Sequence, residues 1–208
     1  MMHRHLARLF ALLLLFVAGS AGAHPFDAES YSARADVRLD EKRGLRVRVY
    51  VEVPAQKVLA EFMTLYDDPM TLGDEEDQAF RERMWTRLGT SLGLTVDGAR
   101  PAGGWVPADD PRNGYGTAEF FLYALEFVPD DPRALLDERV AVHVDLDVFP
   151  GEEIYLSAAA RAKAPWQVAS TTIDAILAAD GLVDPATGRW TLDRRLRDVD
   201  VVFVRPGG

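Results

Sequence analysis

Two runs of strict alternation near the start of the chain limit what it can fold into. Tyr31, Ala33, Ala35, Val37 and Leu39 are separated by Ser32, Arg34, Asp36 and Arg38. After Asp40-Glu41-Lys42-Arg43-Gly44, a second run sets Leu45, Val47, Val49, Val51 and Val53 against Arg46, Arg48, Tyr50 and Glu52. Successive side chains on a strand point to opposite faces, so a period of two buries one face and wets the other. Two such runs around a Gly-ended turn predict a β-hairpin with one apolar face. That face must be covered, which asks the rest of the chain for more sheet or helix.

The remaining sequence supplies both. Pro54 suits a first helical turn, and Val58, Leu59, Phe62, Met63 and Tyr66 recur at helical spacing, predicting a short helix over 54–66. The acidic stretch Gly73-Asp74-Glu75-Glu76-Asp77 favours the positive end of a second helix, whose apolar face carries Phe80, Met84, Trp85, Leu88 and Leu92 and which Gly93 stops. Residues 94–101 read as a strand, an Asp97-Gly98 turn and a strand start. Residues 102–117 are rich in Gly and Pro and lack periodicity, so a loop is expected there. Glu119 to Phe127 reads as an aromatic-rich strand buried on both faces, Arg133 to Glu138 as one helical turn, and Arg139 to Phe149 as an alternating strand. Glu153 to Ala159 and Val199 to Val204 read as strands. A short helix capped by Ser170 runs to about Ala179, and Val183 and Trp190 to Leu192 flank a turn at 184–188. The fold expected is α+β: one mostly antiparallel, sandwich-like domain of seven to nine strands with two or three inserted helices.

The first 23 residues have a separate purpose. His3, Arg4, His5 and Arg8 precede an apolar run from Leu9 to Ala18, and Ala21-Gly22-Ala23 fits the small-residue cleavage rule of a secretory signal. The apolar run is well short of the roughly 20 residues of a membrane span. Residues 1–23 are therefore expected to be a signal peptide and 24–208 a single exported domain, periplasmic or secreted, with no membrane span after processing. The chain has no cysteine, so disulfides, thiol chemistry and lipoprotein anchoring are excluded. Its net charge of −10 argues against nucleic acid, whose phosphates need a basic footprint. Cleavage removes two arginines and no acid, leaving a domain more acidic still.

Cleavage after Ala23 would make His24 the first residue, offering an amine and a ring nitrogen to one metal ion. Pro25 has no amide hydrogen, which blocks a square-planar site built on successive backbone amides. On the strand 139–149, the face opposite the valines carries His143, Asp145 and Asp147, roughly 6–7 Å apart along the chain. An amine, two imidazoles and a carboxylate suit a borderline divalent ion such as copper, nickel, cobalt or zinc. The candidate metal ligands are thus His24, His143 and Asp145. An ordinary polar outer face accounts for the same pattern.

Other motifs fail their context. Gly89-Thr90-Ser91-Leu92-Gly93 fits G-x-S-x-G, but that mechanism needs its serine on a turn from strand to helix, and here the order is reversed. A calcium-like loop starting at Asp68 has Met70 and Leu72 at ligand positions and Ala79 in place of the closing glutamate. No enzyme is expected. Trp105, Tyr115 and Trp166 lie in Gly/Pro-rich stretches and suit either a binding surface or the edge of a core.

Three features together resemble a known family: Ala23-His24-Pro25 at the mature start, the hairpin strand Leu45–Val53 running into Pro54 and a helix, and Gly93-Leu94-Thr95-Val96-Asp97-Gly98 followed by Arg100-Pro101. Their order is similar to the extracytoplasmic N-terminal domain that precedes the membrane part of some bacterial nickel/cobalt transporter-like proteins. The resemblance covers about 24–101. It implies a metal contact at His24 and an accessory role in metal handling. The Asp-rich loop of those domains is degenerate here at 67–79, and without their membrane helices transport by this polypeptide itself is not expected. The alternative is a non-catalytic structural or protein-interaction module of the cell envelope, with another envelope protein as its partner.

Overall fold

The computed structural model describes residues 30–58, 74–116, 120–132, 136–172, 189–191 and 196–206, with backbone alone at 74–77 and 189–191. In chain order its elements are β1 (Ser30–Asp40), β2 (Gly44–Pro54), α1 (Asp74–Ser91), β3 (Gly93–Val96), β4 (Gly103–Pro107), β5 (Tyr115–Gly116), β6 (Phe120–Pro129), β7 (Arg139–Asp145), β8 (Glu153–Ala162), β9 (Gln167–Thr171), β10 (Arg189–Thr191) and β11 (Asp198–Val204). The protein is β-rich, with the strands in two sheets. The first has the order β10-β8-β1-β2-β6-β4, with β5 also on β6; the second has the order β3-β7-β11-β9.

The hairpin forms as its alternation predicts. β1 and β2 pair antiparallel from Ser32↔Glu52 to Leu39↔Leu45, and none of their ten alternating apolar residues is more than 2% exposed. The β1–β2–β6 portion is antiparallel, but the other edge of β1 pairs with β8 in parallel, from Ser30↔Glu153 to Leu39↔Ala162. Phe80, Met84 and Leu88 recur every fourth residue and bury one stripe of α1, which Leu92 continues just past its end. Together with apolar side chains from both sheets they form one core cluster.

Several expectations need correction. Residues 102–117 hold two strands, β4 and β5, both paired with β6. As an edge strand β4 buries almost nothing, so only half-buried Trp105 marks its inner side and no alternation shows. The outer face of β6 is only partly covered: Ala124 is buried, but Val128 is 50% exposed. β7 stops at Asp145, where the Asp147 amide donates to Asp145 Oδ1 (3.0 Å) and the Val148 amide to the Leu146 carbonyl (2.8 Å). Leu146 and Val148 are buried in that turn, which is why the apolar pattern outlasts the strand. Ser170 lies in β9 opposite Val202, and helix begins only at Thr172, two residues later than expected. After β3, Asp97 (φ 50°) and Gly98 (φ 79°) make the tight turn, but the return is a single bridge, Val96↔Ala99. Residues 55–58 are helical; the rest of the predicted helix to 66, the signal peptide, His24 and 173–188 lie outside the described residues. No helix among the described residues is long and apolar enough to cross a membrane.

A buried bond links chain segments of the two sheets. The buried Tyr31 hydroxyl on β1 donates to the Leu146 carbonyl beyond β7 (2.9 Å), and its ring meets Phe149 edge-on at 5.1 Å. Burial, reinforced by the Asp147 charge, pushes this phenol from 10.0 up to about 12. A folded value above the unfolded one gives stability that is complete below pH 10 and lost as pH rises toward 12. Tyr31→Phe is expected to cost about 1 kcal/mol at neutral pH. The variant should escape the alkaline decline, so the two urea midpoints converge as pH passes 12. Parallel curves over that range would refute the assignment.

Candidate functional site

The outer face of the second sheet is polar because its strands alternate. On β7, Val140, Val142 and Val144 are buried while Ala141, His143 and Asp145 face away; on β11, Val199 and Val201 are buried while Asp198 and Asp200 face away. The register sets Thr95 and Asp200 on either side of His143, and Gly93 and Asp198 on either side of Asp145.

His143 Nδ1 lies 2.9 Å from Asp200 Oδ1. An ionised carboxylate only accepts, so the neutral imidazole carries its hydrogen on Nδ1 and presents the lone pair on Nε2. Asp200 is itself held: its Oδ2 accepts from Thr172 Oγ1 (3.1 Å), and its amide donates to the same oxygen (3.0 Å). Asp145 lies flat against β3, where a Cβ on Gly93 would come 2.8 Å from the Asp145 Cβ. Its Oδ1 is used by the Asp147 amide, while Asp147 turns off this face to accept from Arg197 Nη1 (3.2 Å). The structure therefore keeps His143 and Asp145 on one face and removes Asp147. Among the described residues no three His, Asp or Glu side chains converge tightly enough to hold a metal by themselves.

Asp200 is the residue sequence reasoning missed. Its signal was present, since Asp198 and Asp200 alternate with Val199 and Val201, but its pairing with His143 depends on a register 57 residues away.

The other candidates resolve simply. Ser91 Oγ donates back to the Arg87 carbonyl (3.1 Å) at the end of α1, as a helix-ending serine does. Trp166 is 3% exposed and belongs to the core. Trp105 stacks edge-on against Phe127 (5.6 Å) and lines a cleft of about 590 Å³ between α1 and β4. Tyr115 is exposed, with the Arg81 guanidinium 4.7 Å over its ring.

The outer face of the first sheet carries a second cluster, made by the polar half of the hairpin alternation. Glu126 on β6 takes two guanidiniums: Arg46 through Nε (3.0 Å) and Nη2 (2.7 Å) on Oε1, and Arg48 through Nε (3.1 Å) and Nη2 (2.5 Å) on Oε2. Arg38 chelates buried Asp36 with bonds of 3.2 and 2.6 Å. Burial pushes the Glu126 carboxyl up, but bonds from Arg48 and Arg46 and their charges outweigh it and hold the group below its ordinary range. Hydrogen bonding to Tyr50 and Glu126 raises Arg48, and bonding to Asp36 raises Arg38. These arginines stay charged and fixed.

No family model matches the sequence, and no curated protein matches it.

Proposed function

We propose that the chain is an exported, non-catalytic β domain that binds a divalent transition-metal ion as an accessory to metal handling, with its two sheets packed face to face as a sandwich. His143 is the anchor, Asp145 the carboxylate in support, and His24 the ligand that completes the site once the leader is removed. The observation that carries this reading is the Asp200–His143 pair. A carboxylate on the far nitrogen of a ligating histidine fixes the tautomer and raises the basicity of the metal-facing nitrogen. Asp198 opposite Asp145 adds a second carboxylate at the same end of the face, where like charges side by side are unfavourable without a cation. Copper, nickel, cobalt and zinc all suit imidazole, amine and carboxylate donors.

Calorimetric titration of correctly processed protein with nickel or copper tests this. His143→Ala should abolish the site, and Asp200→Asn should weaken it about 10–100-fold while leaving the fold intact. Equal affinity in wild type and both variants would reject the proposal. N-terminal mass spectrometry of exported protein, finding any residue but His24 at the tip, would remove the amine ligand.

A further inference from the structure

The arginine face of the first sheet stands out because its charge opposes that of the whole chain, −10. Two clefts open on it. One, of about 140 Å³, has Arg46, Arg48 and Glu126 as its floor; the other, of about 400 Å³, is lined by Arg34, Arg112, Arg161 and Tyr50. Asp36 and Arg38 line both, so the two are continuous.

The guanidiniums divide into two groups. Arg38, Arg46, Arg48 and Arg112 are pinned by carboxylates: Asp36, Glu126 for two of them, and Asp110. Arg34 and Arg161 have no ion pair or hydrogen bond among the described residues, yet they open onto the same cleft. Among the described residues the only other carboxylate lining it besides Asp36 is Glu52, which accepts from Ser32 Oγ (3.1 Å). Positive charge is thus in excess in a concave site, where a low-dielectric wall concentrates the field. Ser32 to Arg38 spans roughly 20 Å of strand, so one monovalent ion cannot engage both ends.

We propose that this face binds a small molecule carrying two or more anionic groups, phosphate or carboxylate, which Arg34 and Arg161 grip over the prearranged floor of Arg38, Arg46 and Arg48. Arginine is suited to this because its planar fork meets either oxyanion with two parallel bonds. The size of the cleft fits a small ligand. The site lies on the other sheet from His143, so it stands or falls separately from the metal reading.

The test is calorimetry on metal-free protein with pyrophosphate, inorganic phosphate and citrate as probes, at low and at near-physiological ionic strength. Wild type should bind pyrophosphate or citrate more tightly than phosphate, and the affinity should fall as salt rises. The Arg34→Gln/Arg161→Gln double variant should lose about tenfold or more in affinity. Both side chains are exposed, and an unchanged urea midpoint would verify the fold. Arg34→Lys/Arg161→Lys should keep part of the binding, since it retains charge without the fork. Independently of any variant, pyrophosphate or citrate should shift the arginine side-chain NMR signals of this face and leave His143 unmoved. A preference between those two probes identifies the anionic group. Absence of binding to both at low salt, or equal affinity in wild type and the Gln double variant, would overturn the proposal.

Discussion

Replacing Asn113 with alanine will cost roughly 2–5 kcal/mol of folding free energy, because its buried amide uses all four of its hydrogen-bonding positions. Nδ2 donates to the carbonyls of Ala108 (2.9 Å) and Ala124 (2.7 Å), while Oδ1 accepts from the Ala124 amide (2.8 Å) and from Trp85 Nε1 (2.8 Å). One side chain thereby ties the loop after β4 to β6 and to α1. Truncation strands the Ala124 amide and the Trp85 indole hydrogen, two donors with no substitute at hand. Asn113→Asp should be worse at neutral pH, since a carboxylate would face two carbonyl oxygens, and should recover in part when acid protonates it. Urea denaturation followed by tryptophan fluorescence measures both. A loss below about 1 kcal/mol for the alanine variant would show that water replaces the amide.

Glu126→Gln will move stability and anion affinity in opposite directions. Among the described residues the glutamate is the only carboxylate bonded to Arg46 and Arg48, which sit two residues apart on one face of β2. Removing its charge leaves two half-buried guanidiniums facing each other, with an expected loss of about 1–3 kcal/mol. Because the folded carboxyl titrates below its unfolded value of 4.5, the stability it confers is present above that pH and lost as pH falls through the lower folded value. The variant should lack this acid limb, so the gap between the two proteins closes under acid. The same change makes the arginine face more positive, so pyrophosphate should bind more tightly as the protein becomes less stable. Loss of both together would contradict the role given to the face.

What could be read from the sequence was what is local. The hairpin was legible because Tyr31–Leu39 and Leu45–Val53 state their buried face residue by residue, and α1 because Phe80, Met84, Leu88 and Leu92 repeat each turn. β4 was not, because an edge strand of Gly103, Gly104 and Pro107 has little to bury and so no pattern to show. The end of β7 was misplaced for the opposite reason, since Leu146 and Val148 stay buried after the ladder stops. In the candidate sites, outward residues such as His143, Arg46 and Arg48 followed from alternation, but their partners did not. Asp200 and Glu126 reach them only through strand order, which depends on contacts far apart in sequence.

The place of β1 has a consequence for how the polypeptide is made. One edge is matched by β2 after a three-residue turn, whereas the other waits for Glu153–Ala162. A chain emerging from its N-terminus therefore carries an early ribbon with an unsatisfied border and a greasy underside until residues 153–162 have been made. Fragments that stop short of Ala162 would keep that border, and they are the species most prone to stick to one another or to be cleared by proteases. Completion of the distant strand, rather than closure of the hairpin, is the event that makes the first sheet safe.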